Sequence, residues 1–488
     1  MLSFSIFTLG CKVNQLESES LAAAFRREGF PVIPWGEAAG ILLINTCTVT
    51  SRADQKARRV IRKALRDNPR SSLIVTGCYA QMDAALIEAL EAPLAGREKR
   101  LFVLRGKDKT ALLDLPRYLR GKTGDPAKLL DGWFHDPGNG GDAGDGCAGG
   151  GFFRMPEEFS FHSRSFLKIQ DGCDNHCTFC RVSLARGPSV SLGREKALEA
   201  LRALENRSYG EAVLTGINIS QYRDGEQDLG GLLEYLLAGT KNIALRLSSL
   251  EPEGLSEKNI RVFTHPRIRP HFHLSIQSGC PGILRKMGRS YGPEELKQGI
   301  SLLRSVKEDP FLACDIITGF PGEGAAEFEK TLNFCMETCF AWIHAFPYSR
   351  RPGTAAWSFG SPVNEKEAAR RVDALLDLAR QGRREYAKRW IGRELDVIIE
   401  KEKEKNPGLI PGISDNYLRA LIQIPPGAGI PPAGTALRCR LRELCGESTG
   451  IEGREFDVAA EPVPDGGFGT LPFDEKRDIV KIHGGISK

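Results

Sequence analysis

The sequence has no long apolar run and no large excess of either charge. None of its hydrophobic stretches approaches the roughly 20 residues that a membrane-spanning helix needs. The start, Met1-Leu2-Ser3-Phe4, lacks the basic-then-apolar pattern of an export leader. A net charge of +5 is small for 488 residues, so it permits a nucleic-acid partner without requiring one. These absences predict a cytoplasmic protein with no membrane partner.

The thirteen cysteines are odd in number, and in the cytoplasm free thiols bind metals or react instead of pairing. Cys173, Cys177 and Cys180 have the spacing C-x3-C-x2-C. A [4Fe-4S] cluster normally takes four thiolates, so three leave one iron open to a ligand that is not protein. The alternative is a zinc loop completed by His176, although structural zinc sites favour paired C-x2-C units.

Three more cysteines follow short apolar runs in the N-terminal part of the chain. The runs are residues 4–9, 41–44 and 73–75. Amphipathic stretches separate them, which predicts an open parallel α/β sheet. Cys11, Cys47 and Cys78 follow these runs, and the carboxyl ends of parallel strands meet at one edge of a sheet. This placement favours a second three-thiolate cluster over three buried structural cysteines.

Residues 51–70 form a strongly basic helical pattern soon after Cys47. Eight arginine or lysine residues stand against two aspartates. Such a run is often only a solvated helix face. Beside a cluster, however, a cationic surface suits a phosphate backbone. The predicted RNA-binding residues are Arg58, Arg59, Arg62 and Lys63.

Composition divides the chain into five parts. Residues 1–120 are the α/β domain, and residues 121–158 are rich in Gly and Asp, as in an interdomain linker. Residues 159–390 alternate six strands with helices, which predicts a partial parallel (β/α)6 barrel with its chemistry at the strand carboxyl ends. Short alternating runs in residues 391–456 predict a small β-barrel, and residues 457–488 a C-terminal tail. The six strands are expected at residues 166–170, 212–216, 244–248, 272–276, 312–317 and 342–347.

The loop at residues 173–180 resembles the radical S-adenosylmethionine enzymes, in which S-adenosylmethionine chelates the open iron and is cleaved to a 5′-deoxyadenosyl radical. The resemblance implies cofactor contacts in this loop and at the strand ends of the partial barrel. The implied residues are Phe179, Gly216, Asn218, Ser275, Gln277, Gly319 and Glu323. Phe179 is also compatible with ordinary core, and a single Gly-bearing strand end is more often structural than functional. No catalytic side chain beyond the cluster ligands is predicted.

Three N-terminal motifs make the resemblance more specific. They are Thr8-Leu9-Gly10-Cys11-Lys12-Val13-Asn14-Gln15, Asn45-Thr46-Cys47-Thr48 and Thr76-Gly77-Cys78-Tyr79. These resemble the methylthiotransferases, radical S-adenosylmethionine enzymes with two clusters, and Lys12-Val13-Asn14-Gln15 is similar to the branch that acts on threonylcarbamoyladenosine in tRNA. The resemblance continues through residues 246–252 and 344–349 and implies that the C-terminal barrel is like the RNA-binding TRAM domain.

The implied activity is conversion of N6-threonylcarbamoyladenosine at position 37 of tRNA to its 2-methylthio derivative. One S-adenosylmethionine would give a methyl group to sulfur at the Cys11, Cys47 and Cys78 cluster. A second, at the Cys173, Cys177 and Cys180 cluster, would supply the radical. The implied cofactors are thus two [4Fe-4S] clusters and S-adenosylmethionine. The implied partners are tRNA and a reductant of flavodoxin or ferredoxin type. The protein itself is expected to be a monomer.

Three alternatives stay open at this point. The same chemistry could act on isopentenyladenosine 37 of tRNA or on an aspartate of a ribosomal protein, although the basic stretches weigh against a protein substrate. From a different class, the chain could be a non-catalytic RNA-binding protein with structural zinc in both triplets. Iron and sulfide content separates the zinc protein from the enzymes.

Two positions depart from the family pattern. Arg181-Val182-Ser183 stands where a branched apolar pair and a proline are usual, before the match at Arg186-Gly187. Pro281 stands where an aspartate is usual. The other cysteines of the barrel lack a ligand context and are predicted to be small core residues. These are Cys280, Cys314, Cys335 and Cys339, and Cys147 in the linker is expected to have no role.

Overall fold

The computed structural model describes residues 2–91, 99–136, 156, 165–207, 209–400, 408–425, 436–446 and 456–463. The Gly-rich centre of the predicted linker, with Cys147, and residues 464–488 of the predicted tail lie outside these ranges. The chain forms two compact units. One comprises Met1–Ser160, Gln170–Ser191 and Ser349–Trp357, and the other Phe161–Ile169, Leu192–Tyr348 and Ser358–Lys488. None of the described helices is long and apolar enough to cross a bilayer.

The first unit is built on a four-stranded sheet in the order β1-β2-β3-β4, with every neighbouring pair parallel. The strands are β1 Phe4–Thr8, β2 Ile41–Thr46, β3 Ser72–Gly77 and β4 Leu101–Val103. Strands β2 and β3 are buried along their whole length, as continuous apolar runs require. The prediction of an open parallel α/β sheet is confirmed.

Five helices flank this sheet in the part of the unit that the structure describes. They are α1 Lys12–Arg27, α2 Ser51–Asp67, α3 Cys78–Glu88, α4 Leu115–Leu119 and α5 Pro126–His135. Helix α2 begins at the cap residue Thr50, whose side chain accepts a hydrogen bond from the Ala53 N–H. Its apolar stripe, which includes Ala57 and Ile61, is buried, so most of its basic side chains face solvent.

Helix α5 lies inside the stretch predicted to be a linker, so that prediction is wrong for residues 126–135. Asp125 caps the helix by accepting from the Ala127 N–H, and Pro126 occupies the first turn, where a missing N–H costs nothing. Leu130 and Trp133 are buried in the core of the first unit. The burial of these two side chains stabilises a helix that the Gly-rich surroundings obscured.

The cysteine loop also belongs to the first unit. It lies between β6 Gln170–Asp171 and the short helix α6 Val182–Arg186, and β7 Val190–Ser191 pairs antiparallel with β6. The sequence assigned these residues to the barrel domain at 159–390. They pack instead with the N-terminal sheet, because contacts of Arg186 and Arg181 described below attach them there.

The second unit contains the predicted partial barrel. Its strands are β5 Ser165–Lys168, β8 Glu211–Thr215, β9 Ala244–Leu247, β10 Ser249–Leu250, β11 His271–Gln277, β12 Phe311–Thr318 and β13 Trp342–Pro347. They pair in parallel as β5-β8-β9 and β10-β11-β12-β13, and only Ser248 separates β9 from β10. All six predicted strands are present. Each lies within about two residues of its predicted position because its apolar run is bounded by turn residues.

Seven helices connect or follow these strands. They are α7 Arg194–Asn206, α8 Leu229–Gly239, α9 Glu257–Phe263, α10 Pro281–Lys286, α11 Pro293–Val306, α12 Ala325–Thr338 and α13 Glu365–Trp390. Pro281 is the first residue of α10, where proline is well tolerated. The departure at Pro281 therefore has a local structural reason.

A closed five-stranded barrel follows α13 in the order β14-β15-β16-β18-β17. Its strands are β14 Glu394–Ile399, β15 Leu409–Ser414, β16 Arg419–Gln423, β17 Ala436–Leu444 and β18 Val458–Pro462. Strand β18 pairs with β16 and β17, so the predicted tail from residue 457 is wrong for these residues. The small β-barrel itself is confirmed, and closure leaves no exposed strand edge.

Arg246 attaches this barrel to the strands of the second unit. Its side chain is fully buried, with Nε 2.7 Å and Nη2 2.9 Å from the two carboxylate oxygens of Glu211. Nη2 also donates to the carbonyl of Asp415 at 3.1 Å, and Arg269 Nε lies 2.9 Å from the same carboxylate. Burial alone would lower the pKa of Arg269, but Glu211 and Asp415 raise it overall. The family motif that begins at Arg246 is thus structural at this residue.

Candidate active site

The N-terminal cysteines follow three neighbouring strands at places where glycine allows close packing. Gly10 has φ +106°, and a Cβ there would lie 2.6 Å from the Cβ of Cys47. Gly77 has φ +99°, and a Cβ there would lie 2.4 Å from the carbonyl oxygen of Thr46. Only glycine adopts these angles and leaves this space without strain. The strand ends that carry Cys11, Cys47 and Cys78 are therefore brought together, as predicted.

These three thiols influence one another electrostatically. Burial, together with the nearby Cys78 and Cys11, raises the pKa of Cys47 to about 12. Three thiolates this close need positive charge, which irons supply. Among the described residues no three Cys, His, Asp or Glu side chains converge on a single metal ion. A cubane distributes its thiolates over separate irons, so the all-thiolate donor set fits a cluster.

The cysteine loop is folded around its own sulfur atoms. Gly172 has φ +69°, and a Cβ there would lie 1.9 Å from the carbonyl oxygen of Pro188. The Asn175 N–H donates to Sγ of Cys173 at 3.4 Å, and the Val182 N–H donates to Sγ of Cys180 at 3.3 Å. Such N–H···S bonds stabilise thiolate charge and orient the ligands of a cluster. Two of the three sulfur atoms are held in this way, and the three-cysteine loop fits the predicted [4Fe-4S] site.

Arg186 connects the two cysteine triplets. Its Nη1 lies 2.9 Å and 3.0 Å from the carboxylate oxygens of Asp171 and 3.2 Å from Oε1 of Glu17, and Nη2 lies 2.6 Å from Oδ1 of Asn14. Burial would lower its pKa, but Asp171, Cys78 and Glu17 raise that pKa well above the ordinary value. Arg186 therefore stays charged.

The partners of Arg186 place it between the two triplets. Asn14 and Glu17 lie in the helix after Cys11, whereas Asp171 comes two residues before Cys173. Lys109 adds a second cation, with Nζ 2.5 Å from Oε1 of Glu17. The network fixes the start of the cysteine loop to the helix that follows the first strand.

Another buried arginine ties the segment at residues 349–357 to the first unit. Arg351 Nη2 lies 2.5 Å from Oδ2 of Asp54 and 2.7 Å from Oγ1 of Thr48, the residue after Cys47. Burial raises the pKa of Asp54 above its usual range, although Arg351 opposes this effect. Arg351 thus supports the strand end that carries Cys47.

The predicted RNA-binding residues lie on helix α2 and differ in their surroundings. Arg59, Arg62 and Lys63 are exposed, and Lys63 pairs with Asp67 in the next turn. Arg58 is half-buried, and its Nη1 donates to the hydroxyl of Tyr79 at 2.7 Å. Arg58 therefore has a packing role beside Cys78, and RNA contact by all four residues stays a prediction.

The predicted cofactor-binding residues divide between the two units. Phe179 lies in the cysteine loop of the first unit, half-buried. In the second unit Gly216 follows β8, Ser275 and Gln277 lie at the end of β11, and Gly319 follows β12. Gln277 has φ +69°, a costly angle for a residue with a side chain and one that recurs at functional sites.

Two of the predicted cofactor contacts have internal partners. Asn218 caps a short 3-10 helix by accepting from the Ser220 N–H at 3.2 Å. The Glu323 carboxylate accepts from the Gly319 N–H and from Arg371 Nη1. Burial raises the pKa of Glu323 above its usual range, although Gly319 and Arg371 oppose this effect. Glu323 therefore closes the loop after β12, and its contact with the cofactor stays a prediction.

Of the four barrel cysteines that were predicted to be small core residues, three are buried. Cys280, Cys314 and Cys335 are buried, as predicted for small core residues. Cys339 is exposed, so the prediction is wrong there. It is the cap residue directly after helix α12, where the backbone leaves the helix with φ +47°, and its thiol lies outside the core.

Two sequence families match the chain. Residues 3–95 match Uncharacterized protein family UPF0004, and residues 167–335 match the Radical SAM superfamily. The chain is 40% identical to the threonylcarbamoyladenosine tRNA methylthiotransferase MtaB of Treponema pallidum, over 90% of this chain and 98% of that one. The chain belongs to the radical S-adenosylmethionine methylthiotransferases. The predicted enzyme class is confirmed, and the predicted cofactors, two [4Fe-4S] clusters and S-adenosylmethionine, are those of this family.

This methylthiotransferase is also similar to proteins of lower sequence identity. It is 33% identical to MtaB of Thermotoga maritima, over 86% of this chain and 91% of that one. It is 30% identical to the tRNA-2-methylthio-N(6)-dimethylallyladenosine synthase of Cereibacter sphaeroides, over 91% and 98%. Among solved structures, the radical S-adenosylmethionine methyltransferase TsrM of Kitasatospora setae has a TM-score of 0.49 at 14% identity, covering 84% of this chain and 81% of that one. The family assignment therefore rests on the sequence relatives.

Sequence reasoning missed most of the charged network around the cysteines. Arg186 was visible only as part of an Arg-Gly match, and no role was predicted for Glu17, Lys109 or Asp171. Each of these four residues contacts others that lie 15 to 172 residues away along the chain. Such contacts depend on tertiary packing, which no local spacing reveals.

Proposed function

We propose that this methylthiotransferase converts N6-threonylcarbamoyladenosine at position 37 of tRNA to its 2-methylthio derivative. One observation supports this most strongly: both cysteine triplets belong to one compact unit, and Arg186 bonds to a residue near each of them, Asn14 after Cys11 and Asp171 before Cys173. Two clusters that act on one nucleoside need such a common support. Lys12-Val13-Asn14-Gln15 and the relatives at 40% and 33% identity that carry the threonylcarbamoyladenosine name support the choice of nucleoside.

The residues of the chain hold and orient, while the cofactors carry the chemistry. When bound, the clusters and S-adenosylmethionine supply a methyl group for sulfur and a radical that activates the unreactive C2–H of adenine. Cys11, Cys47 and Cys78 hold one cluster. Cys173, Cys177 and Cys180 would hold the other, and S-adenosylmethionine would bind there. Arg186 keeps its charge and maintains the connection between the two loops.

The surface supports a tRNA partner. Exposed Arg59, Arg62 and Lys63 on α2 form a cationic face in the unit that holds the cysteines, and phosphates bind such faces. The closed C-terminal barrel serves as the TRAM-like RNA-binding module. The protein works as a cytoplasmic monomer and receives electrons from a flavodoxin-type or ferredoxin-type donor.

Nucleoside analysis tests this proposal. Anaerobically reconstituted protein is incubated with S-adenosylmethionine, reductant and one of three otherwise identical tRNAs. Position 37 carries threonylcarbamoyladenosine, dimethylallyladenosine or unmodified adenosine. Mass spectrometry should find the methylthio product mainly from the first tRNA, and none from the Cys177→Ala variant. Product mainly from the dimethylallyl tRNA would overturn the choice of nucleoside.

A further inference from the structure

Four polar side chains form a layer across neighbouring strands of the partial barrel. Ser249, His273, Asp315 and His344 lie on β10, β11, β12 and β13. Along β11 and β12 these positions are half-buried while their immediate neighbours are mostly fully buried. Alternation of this kind places one set of side chains inside a barrel and the other against the surrounding helices. We refer to the four residues as the polar layer.

The members of the polar layer contact one another through a hydrogen bond, a close His–Asp contact and a ring contact. Ser249 Oγ lies 3.1 Å from Nδ1 of His273, and Nε2 of His273 lies 3.1 Å from Oδ1 of Asp315. The His273 and His344 rings have centroids 5.0 Å apart. Trp342 Nε1 donates to Nδ1 of His344 at 3.2 Å, so Nε2 of His344 carries the proton and is a donor. The layer thus presents both donors and an anionic acceptor.

The polar layer lies close to the strand ends where the cofactor is expected. Ser275 and Ile317 follow His273 and Asp315 by two residues on the same face, a step of about 7 Å along a strand. Phe346 follows His344 in the same way, and its ring is stacked with the His344 ring at an interplanar angle of 13°. Phe346 is 41% exposed, large for an apolar side chain. An aromatic surface beside a polar layer suits a base with a polar substituent.

We propose that the polar layer binds the ureido and hydroxyl groups of the threonylcarbamoyl substituent and so selects it over an apolar substituent on N6. This inference rests on the proposed function. The ureido N–H groups match the Asp315 carboxylate, and the ureido carbonyl and the hydroxyl match the imidazole N–H and Ser249. A dimethylallyl group has no donor or acceptor and would displace water from these half-buried polar groups without bonding to them. Sites built to bond a polar group reject an analogue that lacks it by large factors.

The test compares the activity of each protein on two tRNA substrates, which separates a change in substrate preference from a general loss of activity. The variants Asp315→Leu and His344→Phe remove groups of the layer, and Asp315→Asn is a milder variant in case the leucine protein does not fold. Asp377→Leu is the matched control, because Asp377 lies on the exposed face of α13 and its side chain is 71% exposed. For each protein, kcat/KM is measured on tRNA with threonylcarbamoyladenosine and on tRNA with dimethylallyladenosine. Cleavage of S-adenosylmethionine without tRNA is measured in parallel.

The layer variants should lose about 100-fold or more in kcat/KM on the threonylcarbamoyl tRNA. Their preference over the dimethylallyl tRNA should fall, their cleavage of S-adenosylmethionine should persist, and Asp377→Leu should match the wild type. An unchanged preference, or an equal loss on both tRNAs with a lower melting temperature, would overturn the inference and leave a structural layer. Absence of product from the wild-type protein with the threonylcarbamoyl tRNA would instead overturn the proposed function.

Discussion

Arg181 and Asp83 form a two-point ion pair between the two cysteine-bearing segments. Nη1 of Arg181 lies 2.9 Å from Oδ2 of Asp83, and Nη2 lies 3.3 Å from Oδ1. Arg181 directly follows Cys180, and Asp83 lies in α3, the helix that begins at Cys78. Arg181 stands where the family usually has an apolar residue. The pair therefore gives this departure a role, since it attaches the end of the cysteine loop to the N-terminal half of the site.

Replacing Arg181 by the apolar residue type of the family should destabilise the first unit. Arg181→Ile leaves the largely buried Asp83 carboxylate without its cation, which costs about 2 to 3 kcal/mol of unfolding free energy. The swap Arg181→Asp with Asp83→Arg should recover part of this loss. Denaturant unfolding of the wild type, Arg181→Asp, Asp83→Arg and the swapped double variant forms a double-mutant cycle. A coupling energy near zero would contradict a stabilising pair.

Gly172→Ala should prevent assembly of the cluster at the cysteine loop. The added Cβ would lie 1.9 Å from the Pro188 carbonyl oxygen at φ +69°, so the loop must move. Gly187→Ala is the control, because Gly187 also has a positive φ but nothing lies within 4 Å of the added Cβ. Iron analysis after reconstitution should give about half the wild-type iron for Gly172→Ala and nearly all of it for Gly187→Ala. Full iron in Gly172→Ala would mean that the loop tolerates the side chain.

Arg246→Leu should destabilise the second unit strongly. It removes one of the two arginines that pair with the buried Glu211 carboxylate, and loss of one partner from a buried pair costs about 3 kcal/mol or more. Arg440→Leu breaks the exposed pair with Glu394 and should cost less than about 1 kcal/mol. Thermal unfolding of both variants measures the difference. Equal losses would show that the Arg246 network does not stabilise the unit.

Lys307 should make stability depend on pH in the alkaline range. Burial lowers its pKa to about 8 in the folded state, whereas an unfolded lysine has a pKa of about 10.4. Between these values the unfolded state binds more protons, so the contribution of Lys307 to stability rises with pH and is least favourable below pH 8. The melting temperature of Lys307→Met minus that of the wild type should therefore decrease from pH 7.5 to 10.5. A difference that does not change with pH would contradict the lowered pKa.

The strands and the cysteine placement were predictable because their causes are local. A buried parallel strand needs a continuous apolar run, as at residues 41–44, and parallel topology then carries Cys47 to the edge shared with Cys11 and Cys78. Helix α5 was missed because its start signal, Asp125-Pro126, lies in Gly- and Asp-rich sequence. Strand β18 was missed because only its pairing with β16 and β17 makes it a strand.

The charged network could not be predicted, because its specificity comes from contacts distant in sequence. Arg181 and Asp83 are 98 residues apart, and each residue alone is compatible with an exposed surface position. Glu323 differs, because a cofactor contact was predicted for it and its contacts within the protein were not. Its position after β12 suggested a cofactor contact, but Gly319 and Arg371 engage its carboxylate within the protein.

Iron and sulfide content tests the central claim, two independent clusters on one chain, most directly. The wild type and two triple variants are reconstituted anaerobically, one with Cys11→Ala, Cys47→Ala and Cys78→Ala and the other with Cys173→Ala, Cys177→Ala and Cys180→Ala. We expect about eight irons and eight sulfides per wild-type chain and about four of each in either variant. About four irons in the wild type that fall to none in one variant and stay at four in the other would contradict it, as would zinc without sulfide.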